Sequence, residues 1–222
     1  MLLCDRLREL RNGLKWDPEV RWLVLRHADE LRSRLTGTGA IRLGDRFPDF
    51  ELPNQHGQLV SSKKLLAKGP LVVSLFRGTW CSFCDLDLNF LERIYPKIRE
   101  LGAELIAISP QSADDAREYL AACPVSFQVL VDNDARFSAS LGLGYDFPEY
   151  LKELYLTVFN IDLANINTGG TWRLPIPGRL VVRSDGIVAD AQYDPDYRYR
   201  PEPEEVLSTL ASLRDELRGG SL

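Results

Sequence analysis

Apolar residues recur at helical spacing along the first 36 positions: Leu3, Leu7, Leu10 and Leu14, then Val20, Leu23, Val24, His27, Leu31 and Leu35. Asp17-Pro18-Glu19 between the two sets is a helix start, with a side-chain acceptor, a proline at the first helical position and an acid in the first turn. The pattern predicts helix throughout 1–36, closed by a linker at Thr36-Gly37-Thr38-Gly39. A stripe of this length cannot bury itself, so it must pack on the rest of the chain or on another subunit. His27 lies on that stripe and reads as a packed surface histidine.

From Ile41 the periodicity changes. Asp49–Pro53 and Gln58–Ser61 flank Asn54-Gln55-His56-Gly57, a hairpin with glycine at its turn and His56 facing solvent. Leu71–Phe76 is a continuous apolar run, hence a buried strand. A helical stretch over 82–101 carries Phe83, Phe90, Leu91, Ile94 and Ile98 on one side, with Asp87 as the polar exception; Pro96 should kink it. Strand Glu104–Ser109, helix Ser112–Ala122 capped by Ser112, strand Phe127–Asp132 and a short helix around Ala135–Leu141 follow. Residues 142–172 are less regular, with a helix over Pro148–Phe159 and a loop over Asn160–Gly170. Arg179–Arg183 and Ile187–Tyr193 form a hairpin about Ser184-Asp185-Gly186, a Pro- and Tyr-rich connection spans Asp194–Pro203, and Glu204–Leu217 is a closing helix. Strands alternating with helices predict an α/β fold with helices on both faces of a sheet. The organisation is an N-terminal amphipathic arm, 1–40, and a main domain, 41–222.

Composition narrows the classes. The 222 residues carry a net charge of −5, which offers no basic face for nucleic acid. No segment approaches the ~20 apolar residues that span a bilayer, and the early charges in Met-Leu-Leu-Cys-Asp-Arg do not read as a signal peptide. Four cysteines are too few for a disulfide scaffold and suit a reducing, cytoplasmic setting.

The candidate chemistry is Cys81-Ser82-Phe83-Cys84. It follows the buried strand and opens the next helix, where unpaired N–H groups and the helix dipole favour a thiolate. One sulfur can attack a bound partner and the other resolve the product. A half zinc site is the alternative, but zinc usually takes four ligands, and Cys4, Cys123, His27 and His56 supply no second pair at ligand spacing. No metal is expected. No Gly-rich nucleotide fingerprint occurs, so no organic cofactor is expected either. Cys123, beside Pro124, is a second resolving thiol or a small buried apolar residue, and Cys4 reads as incidental.

Three segments resemble a known family. Leu43-Gly44-Asp45-Arg46-Phe47-Pro48-Asp49-Phe50, then Val72 through Cys84, then Leu180-Val181-Val182-Arg183-Ser184-Asp185-Gly186 are similar to the peroxiredoxin-like branch (alkyl hydroperoxide reductase/thiol-specific antioxidant type) of the thioredoxin fold. The resemblance covers about 41–218. It implies a mixed central sheet with helices on both faces, extended here by the N-terminal helices. Peroxiredoxins place a proline seven residues before the peroxide-attacking cysteine and a threonine or serine three before it; counted from Cys84 these positions hold Arg77 and Cys81. The family's arginine before the late strand is matched by Pro177, with Arg179 two residues on. A thioredoxin-like oxidoreductase instead carries Trp-Cys-x-x-Cys and a cis-proline before that strand, a pattern that Trp80, Cys81, Cys84 and Pro177 match; a plain loop proline is the other reading of Pro177.

Supporting roles follow for the neighbours. Trp80 shields the sulfurs or packs in the core. Arg77 and Arg179 lower a thiol pKa, bind an anion, or lie at the surface. Thr79 bonds a sulfur or caps the helix. The implied activity is thiol-dependent oxidoreduction, cycling Cys81 and Cys84 between dithiol and disulfide. The oxidant is a hydroperoxide or a disulfide, the electron donor a thioredoxin-like protein or a low-molecular-weight thiol, and a homodimer is a possible assembly. A non-enzymatic redox sensor is the alternative. Exposure favours Cys81 as the attacker; the peroxiredoxin alignment favours Cys84.

Overall fold

The computed structural model describes residues 1–36 and 39–219, with side chains to residue 216. Gly37 and Thr38 of the expected linker lie outside the described residues. Two helices come first, α1 (Leu3–Gly13) and α2 (Pro18–Leu35). A hairpin of β1 (Glu51–Pro53) and β2 (Leu59–Ser61) leads through α3 (Ser62–Leu66) to β3 (Leu71–Leu75), followed by α4 (Ser82–Glu100), β4 (Glu104–Ser109), α5 (Ala113–Ala122) and β5 (Gln128–Val131). Then come α6 (Arg136–Ser140), β6 (Gly144–Asp146), α7 (Glu149–Thr157), α8 (Leu163–Ile166) and β7 (Arg173–Pro175). The hairpin β8 (Gly178–Val182) and β9 (Val188–Tyr193) and the helix α9 (Pro203–Gly219) close the chain.

The central sheet has the order β5-β4-β3-β8-β9. β3 runs parallel to β4, and β4 to β5, while β8 pairs antiparallel with both β3 and β9. The sheet is therefore mixed, and β3 lies at its centre with all five residues buried. Alternation along β3 sends Leu71, Val73 and Leu75 into one apolar cluster and Val72 into the other. The first cluster lies under α2, α3, α6 and α7; the second lies under α1, α4 and α9.

The N-terminal helices thus divide between the two faces. Leu3 and Leu7 of α1 are buried against α4, and Val20, Val24 and Leu31 of α2 are buried on the opposite side, next to α7. The stripe is covered by its own chain, so no second copy is needed to hide it. The helix is not continuous over 1–36: Leu14–Asp17 breaks it where the chain crosses to the other face, with Leu14 and Trp16 beside Cys81 past the end of the central strand, and Pro18 restarts it. Helix α4 continues through Pro96, with buried Phe90, Leu91, Ile94 and Ile98 on both sides of the proline. Ser112 accepts from the Asp115 N–H at 3.2 Å, as its capping position implies. The irregular region holds two elements without sequence signal: α8 within the expected loop, and an antiparallel pair of β6 with β7. Three-residue strands are too short to show a period of two. Among the described residues, no helix is long and apolar enough to cross a membrane.

Candidate functional site

The thiols stand at the C-terminal end of the central strand. The Phe76 N–H bonds to the Ile108 carbonyl at 3.0 Å, continuing the ladder one step past β3, and Arg77-Gly78-Thr79-Trp80 then turns the chain into α4. Gly78 sits at φ 150°, and a Cβ there would collide with the Trp80 indole nitrogen. This turn therefore requires glycine. Cys81 is the N-cap of α4, with φ −94° and ψ 108°. Its carbonyl accepts the N–H groups of Cys84 at 2.8 Å and Asp85 at 2.9 Å. Cys84 follows one turn into the helix. Both thiols are free.

Each sulfur has its own guanidinium. Arg77 Nη1 lies 3.8 Å from Cys81 Sγ. Arg200 Nη2 donates to Cys84 Sγ at 3.1 Å, and the Arg77 backbone N–H lies 3.5 Å from the same sulfur. The Cys84 thiol, acting as donor to Cys81, and the charges of Arg77 and Arg200 hold Cys81 down to about 5, against the burial that would raise it. Burial, joined by the neighbouring Cys81, pushes Cys84 well above the ordinary thiol range. Both directions favour the thiolate at Cys81 and the thiol at Cys84.

The arginines are themselves held. The Arg77 guanidinium lies 3.9 Å from the Tyr197 ring centre and 4.8 Å from that of Trp80, and it donates to the Tyr155 hydroxyl. Asp87 binds Arg179 at 2.6 Å and approaches Arg200 Nε at 3.6 Å. Arg200 also donates to the carbonyls of Tyr197 and Tyr199. Asp87, Arg179 and Arg200 are all buried.

Several expected neighbours take other positions. Thr79 does not bond a sulfur: its N–H donates to Gln111 Oε1 at 2.6 Å and its hydroxyl accepts from Gln111 Nε2 at 2.8 Å. Arg179 binds Asp87 and the Pro201 carbonyl rather than a thiol, because β8 places it beside α4 one turn beyond Cys84. Pro177 is buried before β8 as expected, but among the described residues every peptide bond is trans. The Ile176 N–H is bonded to the Leu143 carbonyl at 2.7 Å, so the backbone before Pro177 is committed within the chain. Cys81 is only 5 % exposed and Cys84 is fully buried; Leu14, Trp16, Tyr155 and Tyr197 stand around Cys81 where the sequence pattern suggested an open edge. Cys123 and Cys4 are half-buried, and Cys4 lies beside Asp5 and Glu202.

Sequence reasoning missed Arg200, Tyr155 and Tyr197. Asp87 carried a signal, as an acid on the buried stripe of α4 that needs a buried cation. Arg200 lies 116 residues from Cys84 in a connection without periodicity, so nothing local marks it.

The sequence profile of the AhpC/TSA family matches residues 43–191. The chain belongs to the AhpC/TSA family. Similar curated proteins include the thiol-disulfide oxidoreductase ResA of Bacillus thuringiensis (strain Al Hakam), 29% identical over 105 residues covering 47% of this chain and 60% of that protein. ResA of Bacillus subtilis (strain 168) is 27% identical over 99 residues, 44% of this chain and 54% of that protein. The chain thus spans little more than half the length of these relatives. Among solved structures, the peroxidoxin BcpB of Mycobacterium tuberculosis superposes with a TM-score of 0.61 at 18% identity, covering 78% of this chain and 97% of that one. Enterococcus faecalis AhpC superposes with a TM-score of 0.62 at 15% identity, covering 81% and 96%. These likenesses establish the thioredoxin-like peroxiredoxin fold. The thiol pair lies within the matched segment; α1, α2 and Arg200 lie outside it.

Proposed function

We propose that the chain is a thiol-dependent oxidoreductase in which Cys81 is the attacking thiolate and Cys84 the resolving thiol. The carrying observation is the polarised pair: Cys81 is held as thiolate beside Arg77, and Cys84 stays protonated one turn deeper. With a disulfide substrate, Cys81 attacks one sulfur and the other departs as thiolate. Cys84 then gives up its proton and attacks Cys81, the second substrate sulfur leaves, and the intramolecular disulfide forms. The substrate gains two electrons and becomes two thiols. With a hydroperoxide, the thiolate takes the distal oxygen, the alkoxide leaves protonated, and Cys84 displaces water from the sulfenic acid. The name of the ResA relatives supports disulfide exchange; the family supports either oxidant. A thioredoxin-like protein or a low-molecular-weight thiol returns the electrons, in the reducing cytoplasmic setting that the low cysteine count suits.

Steady-state turnover of a disulfide and of a hydroperoxide, with dithiothreitol as donor, tests this. Wild type should turn over, and mass spectrometry of the oxidised form should show two protons lost from the peptide carrying both cysteines. Cys81→Ser should abolish turnover, and Cys84→Ser should accumulate the mixed disulfide. A single stoichiometric oxidation without turnover would make the chain a sensor; a bridge to Cys4 or Cys123 would overturn the assignment.

A further inference from the structure

Cys81 opens onto a cavity of about 380 Å³, within the size range of small-molecule sites. Six aromatic rings line it: Trp16, Trp80, Phe83, Tyr155, Phe159 and Tyr197. Aliphatic Leu10, Leu14, Val158 and Ile161 complete the walls, and Arg77 is the one cation among the lining residues. Two buried N–H groups of these lining residues have no partner, Arg77 Nε and Trp80 Nε1, the latter packed against Gly78. Buried donors left unpaired are costly unless an acceptor arrives. Part of the wall comes from segments that the family match does not include: Leu10 of α1, Leu14 and Trp16 in the break after it, and Tyr197.

We infer that this cavity is a binding site for a small organic anion: an aromatic body between the rings and a carboxylate or similar acceptor at Arg77, with the bond to be reduced held against Cys81 Sγ. The inference rests on Cys81 as the attacking thiol. The shape argues for a small molecule over a protein loop, because Cys81 is 5 % exposed and is reached through a cleft lined by aromatic rings. Charge argues for the anion over a cation: Arg77 is the one cation on the lining, and although its Nη1 faces Cys81 Sγ at 3.8 Å, its Nε has no partner. The N-terminal extension acquires a role here. It supplies one wall of the site, and its two helices on opposite faces of the sheet hold that wall in place.

An unreactive probe separates binding from turnover. With the full chain, 1-naphthoate should slow the alkylation of Cys81 by iodoacetamide in a saturable way, at least threefold at saturation. Acetate, which lacks the body, and 1-naphthalenemethanol, which lacks the charge, should each protect several-fold less at equal concentration. Val158→Glu, at a rim position that is 56% exposed and so tolerates the change, places a like charge at the mouth and should weaken naphthoate protection at least fivefold. Equal protection by acetate, equal protection by the neutral alcohol, or no protection at millimolar naphthoate would each overturn the inference. Diamide oxidation of the same protein keeps the two readings apart. If Cys81 and Cys84 close but naphthoate does not protect, the site fails alone; if the pair does not close, the redox reading fails whatever the naphthoate result.

Discussion

At the scale of single residues, the site depends on giving two chemically identical groups different protonation. A helix start favours a thiolate at either sulfur, so the helix alone does not choose. The choice comes from depth and from donors: Cys81 takes the Cys84 thiol as donor, with Arg77 and Arg200 near, whereas burial is the foremost influence on Cys84. The sign is testable. With Cys81 down at about 5, its alkylation rate should be nearly flat from pH 6 to 9, while an ordinary thiol near 8.5 rises roughly tenfold for each pH step below its pKa. Removing the nearby charge should restore ordinary behaviour in part. Arg77→Met should lower the Cys81 rate at pH 6.5 by roughly twofold, as its pKa moves up by about 1.5 units. A rate that climbs steadily through pH 8.5 in wild type would refute the thiolate assignment.

At the scale of elements, α2 carries a group in an unusual state. His27 packs against the rings of Tyr145 and Phe147 at 5.2 and 5.9 Å, and neither of its ring nitrogens has a partner. Burial first, and the charge of Arg77 second, bring its pKa down from 6.5 to about 4. Folding therefore requires the neutral ring. The unfolded chain binds the proton more readily between these two values, so stability is full above about pH 6.5 and falls as pH drops towards 4, by roughly 3 kcal/mol in all. Urea midpoints measured from pH 7 to 4 should show this loss, and His27→Phe, which keeps a ring in the same apolar place, should flatten the profile by most of that amount. An unchanged slope in the variant would place the acid sensitivity elsewhere. Helix α1 is tied down differently: its first N–H groups, Leu3 and Cys4, donate to the Glu202 carboxylate at 3.0 and 2.6 Å. Glu202→Gln keeps the acceptor but removes the charge at the dipole's positive end, and should cost about 0.5–1 kcal/mol in the urea midpoint.

At the scale of the whole molecule, Asp87 is the junction. It lies on α4, pairs with Arg179 of β8 and approaches Arg200 of the 194–202 connection. That connection in turn reaches Cys84 through Arg200, the cavity through Tyr197, and α1 through Glu202. A buried pair stabilises little by itself, but breaking it strands charge. Asp87→Ala should cost about 3–5 kcal/mol, read as a drop in urea midpoint, and Asp87→Leu combined with Arg179→Met should recover part of that loss. If the double variant is no more stable than the single one, Asp87 acts through something other than the buried charges.

Periodicity and punctuation were enough for the α/β alternation, most strand and helix boundaries, the Ser112 cap and the Cys81–Cys84 pair at a strand-to-helix turn, because each is set by residues within a few positions of one another. The family, too, was readable in the run from Val72 to Cys84. Tertiary structure decided what depends on residues far apart. Two helices that read as one arm divide between opposite faces of the sheet, since only packing says which face a stripe meets. Arg179, two positions from a family landmark, binds Asp87, while Arg200, in a stretch without pattern, takes the sulfur. The short β6–β7 pair, the trans Pro177 with its committed neighbour and the closing of the cleft over Cys81 belong to the same class. A charge acts through distance and burial, and neither is a property of position along the chain.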